Sequence, residues 1–386
     1  MEQHLKRLRD GEVGSNQERN LVKLLIQPTA GSTELVEAIN SAVKTIEVVI
    51  FRFDRREIEA ALKAAAARGV FVHALVTYRN RGGEKNLRKL EMRLLEAGVT
   101  VARTSNDLLR YHDKFLIKDR QELFLLSFNF TALDIDHSRS FGLVSRDPSL
   151  VQEAGRLFEA DCTRQPFTPQ TDSLVVSPIN ARKLLAGFIE GARQELLIYD
   201  PKISDPQMIR LLKQQNAKGV KLRVIGRMGK AGAGLAVRKL SMRLHCRAMV
   251  RDGLDVFLGS QSLRDEELDE RREVGLIISD AAIAKSVSAT FDADWNSAVG
   301  KVAPDSVESH LASSKKFKKA VKALVKDLPP LSDVVKEAVQ QAAESPGDML
   351  NVNEVRETVK EAVREAVKEG VKQAVKDAVE DTENIA

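Results

Sequence analysis

Two histidines, each followed two positions later by a cation, are the residues of this chain best suited to chemistry. The first group is His112 with Lys114, and the second is His245 with Arg247. One imidazole can attack phosphorus to form a covalent phospho-histidine, and another can protonate the leaving oxygen and then activate water or an alcohol. The cations would neutralise the phosphoryl oxygens. These residue types suit phosphate-ester chemistry, and such a site requires no metal or other cofactor.

A common spacing indicates that the two groups belong to an internal duplication. The offset from His112 to His245 is 133, and eight further pairs share it. They are Lys114 and Arg247, Asp119 and Asp252, Ser127 and Ser260, Asn129 and Ser262, Arg139 and Arg272, Gly142 and Gly275, Phe158 and Phe291, and Asp161 and Asp294. Because two like units normally pair about a twofold axis, equivalent residues are predicted to meet at one central site.

Neutral groups near each histidine could support the same chemistry. Ser127, Asn129, Ser260 and Ser262 are predicted to donate to the charge that develops on the phosphoryl group. Asp119 and Asp252 each end a strand before a turn, where short carboxylates commonly cap backbone donors. We therefore expect these two aspartates to be structural.

At these residues the chain resembles the phospholipase D superfamily, whose signature is His-x-Lys, four residues, Asp, followed by Gly-Ser-x-Asn. The first copy matches at His112, Lys114, Asp119, Ser127 and Asn129, with Leu126 in place of the Gly. The second matches at His245, Asp252, Gly259 and Ser260, with Arg247 for the Lys and Ser262 for the Asn. The resemblance covers roughly residues 20 to 297 and is greatest to the bacterial branch that includes cardiolipin and phosphatidylserine synthases.

The resemblance implies a metal-independent phosphodiesterase or phosphatidyltransferase, with His112 as nucleophile and His245 as general acid. Family members often carry a Glu further along the chain from the His, and Glu273, at an offset of 28 from His245, fits that role for His245. Ser140 stands at the matching place in the first copy. His112 is therefore expected to use another carboxylate, with Asp134 and Asp136 nearby in sequence. Replacing the second Lys by Arg keeps the charge but changes the geometry, so reduced activity on the usual substrates is expected.

Strand and helix patterns alternate within each copy. The predicted elements are strands 45–53 and 70–77 around helix 57–68 in the first copy, and strands 195–199 and 220–225 around helix 206–217 in the second. The predicted fold class is α/β, with two tandem phospholipase D-like α-β-α lobes forming a pseudo-twofold dimer, plus an α-helical C-terminal tail. The predicted boundaries are a flexible N-terminus at 1–20, lobes at 21–165 and 166–298, a basic amphipathic helical region at 299–345, and a Val/Ala/Lys/Glu helical tail at 346–386.

The copies differ in length ahead of the histidine. The offset from Gly69 to His112 is 43, whereas the offset from Gly219 to His245 is 26. The surplus in the first copy is predicted to be roughly one helix and one strand. The segments 78–83 and 227–234 are expected to be flexible cationic loops at the mouth of the site, and neither matches a nucleotide-binding fingerprint.

The C-terminal region has a different character. Residues 313–328 place an apolar face among six Lys, which is the layout of a helix on an anionic membrane surface or of a helix packed on the second copy. From 355 to 379, Val recurs at every fourth position. Because this stripe drifts around a helix, we expect weak self-association, a marginal surface helix, or disorder of the isolated tail.

Charge and hydropathy limit the setting. The formal net charge is +5, and residues 351–386 carry six basic against nine acidic groups, so the rest of the chain is about +8. A basic body suits phosphodiester and phospholipid substrates alike. The first 20 residues contain no apolar h-region, so we expect no secretory leader, and no apolar run is long enough to predict a helix that spans a bilayer. Cys162 and Cys246 are isolated. The expected location is cytoplasmic or peripheral at the inner face of the membrane, with Cys246 packed in the interior.

Three hypotheses follow. The first is a phospholipase D-like phosphodiesterase or transphosphatidylase that acts on phospholipid headgroups through a phospho-histidine intermediate. The second is a nuclease of the same superfamily, although the aromatic side chains that stack on bases make up only 5% of the chain. The third is a catalytically decayed phosphate-binding module, which Ser140, Arg247 and Ser262 favour.

Overall fold

The computed structural model describes residues 22–78 and 84–300. All of them belong to Met1–Lys301, the first of the two units into which the chain divides. Several predicted regions lie outside the described residues: the N-terminus 1–20, positions 79–83 of the first cationic loop, residues 301–345 with the helix 313–328, and the tail 346–386. Predictions about these regions stay predictions.

The two copies form two lobes with matching elements. In the first lobe they are β1 (Val22–Gln27), α1 (Thr33–Asn40), β2 (Thr45–Ile50), α2 (Arg56–Ala67), β3 (Phe71–Val76), α3 (Glu84–Glu96), β4 (Thr100–Arg103), β5 (Arg110–Tyr111), β6 (Phe115–Lys118), β7 (Glu122–Leu126), α4 (Ala132–Asp136), β8 (Ser138–Ser145) and α5 (Pro148–Thr163). In the second they are β9 (Leu174–Ser177), α6 (Ala181–Glu190), β10 (Glu195–Ile203), α7 (Pro206–Ala217), β11 (Lys221–Met228), β12 (Ala236–Lys239), β13 (Arg243–Leu244), β14 (Arg247–Arg251), β15 (Asp255–Gly259), β16 (Arg271–Ser279), α8 (Ala281–Ser297) and β17 (Val299–Gly300).

Each lobe is built on a mixed sheet, as the alternating pattern predicts. The first sheet has the order β1-β8-β7-β6-β2-β3-β4, and the second has the order β17-β12-β11-β10-β14-β15-β16, with β9 paired to β16. Strands β2, β3 and β4 run parallel, whereas β2, β6, β7 and β8 are joined by antiparallel pairs. The predicted α/β class and the duplication are therefore confirmed.

The lobes exchange one short strand each. Strand β13 of the second lobe pairs in parallel with β8 of the first, and β5 of the first pairs in parallel with β16 of the second. Both exchanged strands immediately precede a histidine of the duplicated motif. The backbone ahead of each histidine is thus fixed by hydrogen bonds to the opposite lobe.

Local sequence signals explain the helix that follows the second strand of each lobe. In α2 an Ala-rich run supplies high helix propensity. In α7 Pro206 occupies the first turn, and the Asp205 carboxylate accepts from the Met208 N–H at 2.8 Å. Gly69 and Gly219 then take φ of +88° and +93°, the left-handed conformation that glycine adopts at low cost after a helix.

The length difference between the copies was only partly predicted. The first lobe has α3 before β4, whereas the second has a short 3-10 turn at Lys230–Gly232 before β12. The segment 227–234, predicted as a loop, begins within β11 and contains this turn. The surplus is therefore one helix, and the strand that was expected to be missing is present as Ala236–Lys239. Strand β12 pairs in parallel with β11 although no helix comparable to α3 precedes it. The backbone hydrogen bonds of the sheet therefore suffice to add this strand.

Three hydrophobic clusters stabilise the part of the chain that the structure describes. The central cluster joins both sheets with α5 and α8, and an outer cluster lies under the remaining helices of each lobe. Neighbouring residues of β2 alternate between them: Val49 packs in the centre, and Val48 and Ile50 pack outward. Cys246 is fully buried in the central cluster, as expected. No helix among residues 22–78 and 84–300 has the length and apolarity needed to cross a bilayer.

Two equivalent ion pairs cross the lobe interface. Arg272 of β16 binds Asp161 of α5 through two hydrogen bonds of 3.0 and 3.1 Å, and Arg139 of β8 binds Asp294 of α8 through two of 2.7 and 3.0 Å. The Tyr199 hydroxyl also donates to Asp294 at 2.6 Å. The bidentate geometry and burial make these pairs specific anchors of the twofold arrangement.

We predict that Arg272→Met destabilises the protein by about 3–5 kcal/mol, because it leaves the Asp161 carboxylate buried without its partner. Urea unfolding followed by circular dichroism would measure the change. Lys23→Met is the matched control, since the Lys23–Glu34 pair is exposed and should contribute less than about 1 kcal/mol. Equal effects of the two substitutions would contradict the anchoring role of Arg272.

Candidate active site

Both motif histidines lie at the seam between the lobes. The His112 backbone N–H donates to the Arg272 carbonyl at 2.8 Å, and the His245 N–H donates to the Arg139 carbonyl at 3.0 Å. These bonds continue the pairing of the exchanged strands by one residue. Only 8% of the His112 side chain and 12% of the His245 side chain are exposed. The backbone geometry is therefore twofold-related at the two histidines, and little of either ring reaches solvent.

The carboxylate partner of His112 comes from the second lobe. His112 Nδ1 lies 2.8 Å from Glu273 Oε2 and 3.0 Å from Oε1, and the Glu273 side chain is fully buried. The prediction that Glu273 serves His245 was wrong. Glu273 follows Arg272, whose carbonyl binds the His112 backbone, so strand exchange turns the Glu273 carboxylate toward the histidine of the other copy.

His245 has a different partner. Its Nε2 lies 2.9 Å from Asp134 Oδ2 and 3.3 Å from Asn129 Nδ2. The expectation that Asp134 or Asp136 would serve His112 was therefore also wrong. Asp134 faces the second-lobe histidine across the seam, and Asp136 instead forms an ion pair with Arg55.

Asp134 is held by a dense set of donors. Its Oδ2 accepts from the Asn129 backbone N–H at 2.9 Å and from the Asn129 amide at 2.6 Å. Its Oδ1 accepts from Arg243 Nη1 at 2.6 Å, and the same Arg243 nitrogen donates to Ser138 Oγ at 2.6 Å. Asn129 therefore contacts both the carboxylate of Asp134 and the imidazole of His245.

The two motif cations are buried near the histidines. Lys114 is 1% exposed; its ammonium donates to the His112 carbonyl and lies 5.3 Å from the centre of the Phe51 ring. Arg247 Nη1 donates to the equivalent carbonyl, that of His245, at 3.2 Å. Burial lowers the pKa of Lys114 to about 7, and the nearby Arg247 charge contributes to the lowering. The ammonium can therefore gain or lose its proton near neutral pH.

Arg247 is partly neutralised by its own lobe. Its Nε donates to Ser262 Oγ at 3.0 Å, and its Nη2 lies 3.4 Å from Glu267 Oε2. That carboxylate also accepts from the Ser262 backbone N–H at 2.7 Å. The Arg247 guanidinium, which replaces the lysine ammonium in the second motif, therefore contacts Ser262 and Glu267 in addition to the His245 carbonyl.

The remaining predicted site residues support the backbone. Ser127 Oγ accepts from the Phe141 N–H at 2.9 Å, and Ser260 Oγ accepts from the Val274 N–H at 3.1 Å. These are equivalent contacts that tie each motif to the following strand. Donation from these hydroxyls, and from Asn129 and Ser262, to a phosphoryl group stays a prediction.

The capping contacts expected of the motif aspartates are present. Asp119 accepts from the backbone N–H groups of Val43, Lys44 and Thr45, with the shortest contact, 2.6 Å, to Lys44. Asp252 accepts from the N–H groups of residues 193–195, at 2.7 Å for Gln194. Both aspartates therefore join the end of the motif strand to the start of the lobe's central strand.

Burial sets the protonation state of both imidazoles. It lowers the pKa of His112 well below its ordinary range, and the charges of Lys114 and Arg247 add to that effect. Burial likewise lowers the pKa of His245 to about 4, although Asp134 opposes the shift. Burial alone would raise the pKa of Asp134, but its hydrogen bonds and the cation of Arg243 hold that pKa below its ordinary value. The lowered pKa of His112 suits a neutral nucleophile, whereas the Asp134 carboxylate favours retention of a proton on His245.

Sequence reasoning missed several residues of this site: Phe51, Arg243 and Glu267. Phe51 packs edge-on against His112, with ring centres 4.6 Å apart. One signal for Glu267 was available, because the offset of 133 also pairs it with Asp134. The shared offset therefore marks a second pair of acidic residues beside the motifs.

Asp113, between His112 and Lys114, is a buried acid in the segment that joins β5 to β6. It is 1% exposed, and neither carboxylate oxygen has a hydrogen-bond partner within the described part of the chain. Burial raises the pKa of Asp113 to about 7; Asp161 raises it further and Arg272 opposes the rise. Its equivalent in the second lobe is the apolar Cys246.

Residues 35–162 and 185–295 match the family model described as cardiolipin synthase, phospholipase D-like domain. The chain belongs to this family. The matched segments cover most of both lobes and include both histidine motifs. The predicted membership of the phospholipase D superfamily is thereby confirmed.

Individual proteins are similar over parts of the chain. Mitochondrial cardiolipin hydrolase of Danio rerio is 28% identical over 136 residues, which is 33% of this chain and 57% of that protein. Among solved structures, polyphosphate kinase of Porphyromonas gingivalis has a TM-score of 0.60 at 20% identity, covering 71% of this chain and 50% of that one. Phosphatidylserine synthase of Haemophilus influenzae Rd KW20 has a TM-score of 0.55 at 12% identity, covering 79% and 94%. At these identities the two structural likenesses show a shared fold alone.

We predict that Asp113→Asn stabilises the protein more at pH 8 than at pH 5. The folded pKa is raised, so the folded state binds more protons than the unfolded state between the ordinary pKa of an aspartate and about 7. The free energy of unfolding of the wild type therefore falls as the pH rises through 7 and Asp113 loses its proton. The amide side chain of the variant does not ionise, so the variant does not show this fall. Urea unfolding of both proteins at the two pH values checks this. A difference between variant and wild type that is the same at pH 5 and pH 8 would contradict it.

Proposed function

We propose that this protein is a phosphodiesterase or phosphatidyltransferase of the phospholipase D type, acting on phospholipid headgroups through a covalent intermediate on His112. The observation that carries the proposal is the buried His112–Glu273 pair, at 2.8 Å, beside the Lys114 ammonium. A neutral imidazole oriented by a carboxylate next to a buried cation suits attack on an anionic phosphodiester.

The contacts of the two rings favour His112 as the nucleophile. An ionised carboxylate only accepts hydrogen bonds, so Glu273 places the His112 proton on Nδ1 and the lone pair on Nε2. His245 has its carboxylate at Nε2 instead. Its proton therefore lies on the nitrogen that Asp134 faces, which suits proton transfer better than attack.

The proposed reaction has two displacements. His112 Nε2 attacks phosphorus, a P–N bond forms, and the bond to the leaving alcohol breaks as the imidazolium form of His245 gives that oxygen a proton and becomes neutral. Water or an acceptor alcohol then attacks phosphorus while His245 takes its proton, and the P–N bond breaks. Lys114 and Arg247 would offset the negative charge of the phosphoryl oxygens in both steps.

The lipid substrate class rests on the relatives. The family model is described by cardiolipin synthase, and one relative is a cardiolipin hydrolase. A net charge of about +8 outside residues 351–386 is compatible with anionic lipids. The peripheral membrane contact through residues 313–328 is proposed as the means of reaching such a substrate.

We predict that acid-quenched protein, after brief incubation with phosphatidylglycerol vesicles, carries an acid-labile phosphatidyl adduct on His112. His112→Ala should abolish both the adduct and headgroup release, because the attacking nitrogen is gone. Mass spectrometry of the digested protein locates the adduct. His137→Ala is the control, since His137 is an exposed histidine on the same lobe.

Three results would contradict this proposal. Turnover that survives His112→Ala would remove the assigned nucleophile. Digestion of single-stranded DNA without headgroup release would replace the lipid substrate by nucleic acid. Absence of any turnover would favour the decayed binding module.

We predict that kcat/KM of the wild type falls as the pH rises through about 7, because deprotonation of Lys114 removes a cation from the substrate site. In Lys114→Arg this alkaline fall should move to much higher pH, since a guanidinium keeps its proton. The maximum can be lower because the geometry changes. Measuring kcat/KM from pH 5 to pH 9.5 for both proteins tests this; an unchanged alkaline limb would assign that limb to another group.

A further inference from the structure

We propose that Asp134, held by Arg243, is the positioning residue of His245 and replaces the carboxylate that the first copy lacks at Ser140. The inference rests on the proposed function, since it assigns His245 the proton-transfer role. It deepens that function by naming the residues that set the orientation and basicity of the second imidazole.

The twofold geometry defines what is missing. The Arg272 carbonyl accepts from the His112 N–H, and the Arg139 carbonyl accepts from the His245 N–H in the same way. The residue after Arg272 is Glu273, and the residue after Arg139 is Ser140. A carboxylate at 140 would therefore face His245 as Glu273 faces His112. The Ser140 hydroxyl instead donates to the Asp134 carbonyl at 3.2 Å.

Asp134 reaches the same imidazole from a different element. It lies in α4, where its backbone N–H is capped by Thr131, and its carboxylate is buried. Oδ2 contacts His245 Nε2 at 2.9 Å, and Oδ1 accepts from Arg243 Nη1 at 2.6 Å. Arg243 belongs to the exchanged strand β13, two positions before His245. One arginine thus connects the carboxylate to the backbone that carries the histidine.

The equivalent residue of the second lobe has another role. Glu267 stands at the offset of 133 from Asp134 and anchors the Ser262 N–H as Asp134 anchors that of Asn129. Its carboxylate then lies beside Arg247 at 3.4 Å. His112 already has Glu273, so the second lobe can use this position to balance a cation. The first lobe uses it to hold an imidazole.

The two carboxylates contact different ring nitrogens of their histidines. Asp134 faces Nε2 of His245, whereas Glu273 faces Nδ1 of His112. Asp134 stabilises the protonated form of His245 against burial, so it supports a proton being taken from water in the second displacement. Loss of Asp134 should affect that displacement more than the first one, provided the leaving group needs no protonation.

The test uses bis(p-nitrophenyl) phosphate, because p-nitrophenolate leaves without a proton. Wild type, Asp134→Asn and the double variant Asp134→Asn/Ser140→Glu are compared in the full chain by stopped-flow burst kinetics and steady-state turnover. We expect Asp134→Asn to keep the burst and lose steady-state turnover by about 10²-fold, the scale of a general base contribution. Adding Ser140→Glu should restore turnover at least about tenfold, because it provides a carboxylate at the position equivalent to Glu273.

Controls separate positioning from folding. Asp136→Asn removes a nearby acid of the same helix that pairs with Arg55 on the surface, and it should leave burst and turnover unchanged. Near-ultraviolet circular dichroism and thermal unfolding check that each variant is folded. Arg243→Met keeps Asp134 but removes its outer donor, and it should lower turnover less than Asp134→Asn.

Three results would overturn the inference: wild-type turnover in Asp134→Asn, loss of the burst together with turnover in a folded Asp134→Asn, or no gain on adding Ser140→Glu. A wild-type protein that shows neither burst nor turnover with this ester, and no headgroup release from vesicles, would instead refute the proposed function. The two failures are therefore distinguishable.

Discussion

Backbone pairing across the lobe interface is the constraint on which the rest of the site depends. Each lobe contributes the strand that precedes its histidine to the sheet of the other lobe. The histidine backbone then bonds to the opposite lobe at 2.8 Å for His112 and 3.0 Å for His245. Because these bonds use main-chain atoms, the twofold relation of the histidines persists where the side chains have diverged.

Charge balance in the buried seam explains why so many acids lie there. Lys114 and Arg247 are both buried, and unpaired buried charges would strongly destabilise the fold. Glu273 and Glu267 lie close enough to influence these cations, and Asp134 carries its own cation, Arg243. The positive and negative side chains of the site therefore nearly cancel. An incoming phosphodiester meets cations that are held in place by carboxylates, which are themselves fixed by hydrogen bonds.

The sequence predicted much of the fold and the residues of the site, but not their partners. The offset of 133 predicted the duplication, and strand patterns predicted the mixed sheets. Spacing along one chain placed Glu273 with His245, because strand exchange between lobes is not visible in a linear pattern. The partner of His245 could not be predicted either, since Asp134 reaches it only through the fold. The same offset applied to the acids would have paired Asp134 with Glu267.

The two copies have diverged in sequence, and the two histidines therefore have different surroundings. An ancestral duplication with identical halves would give two imidazoles of equal environment and no reason to prefer one. Here only His112 has a glutamate at Nδ1 and an aromatic ring, Phe51, packed against it. His245 has an aspartate at Nε2 and an asparagine at the same nitrogen. The serine at position 140 therefore does not by itself indicate decay, because the carboxylate of Asp134 still reaches the second ring at Nε2.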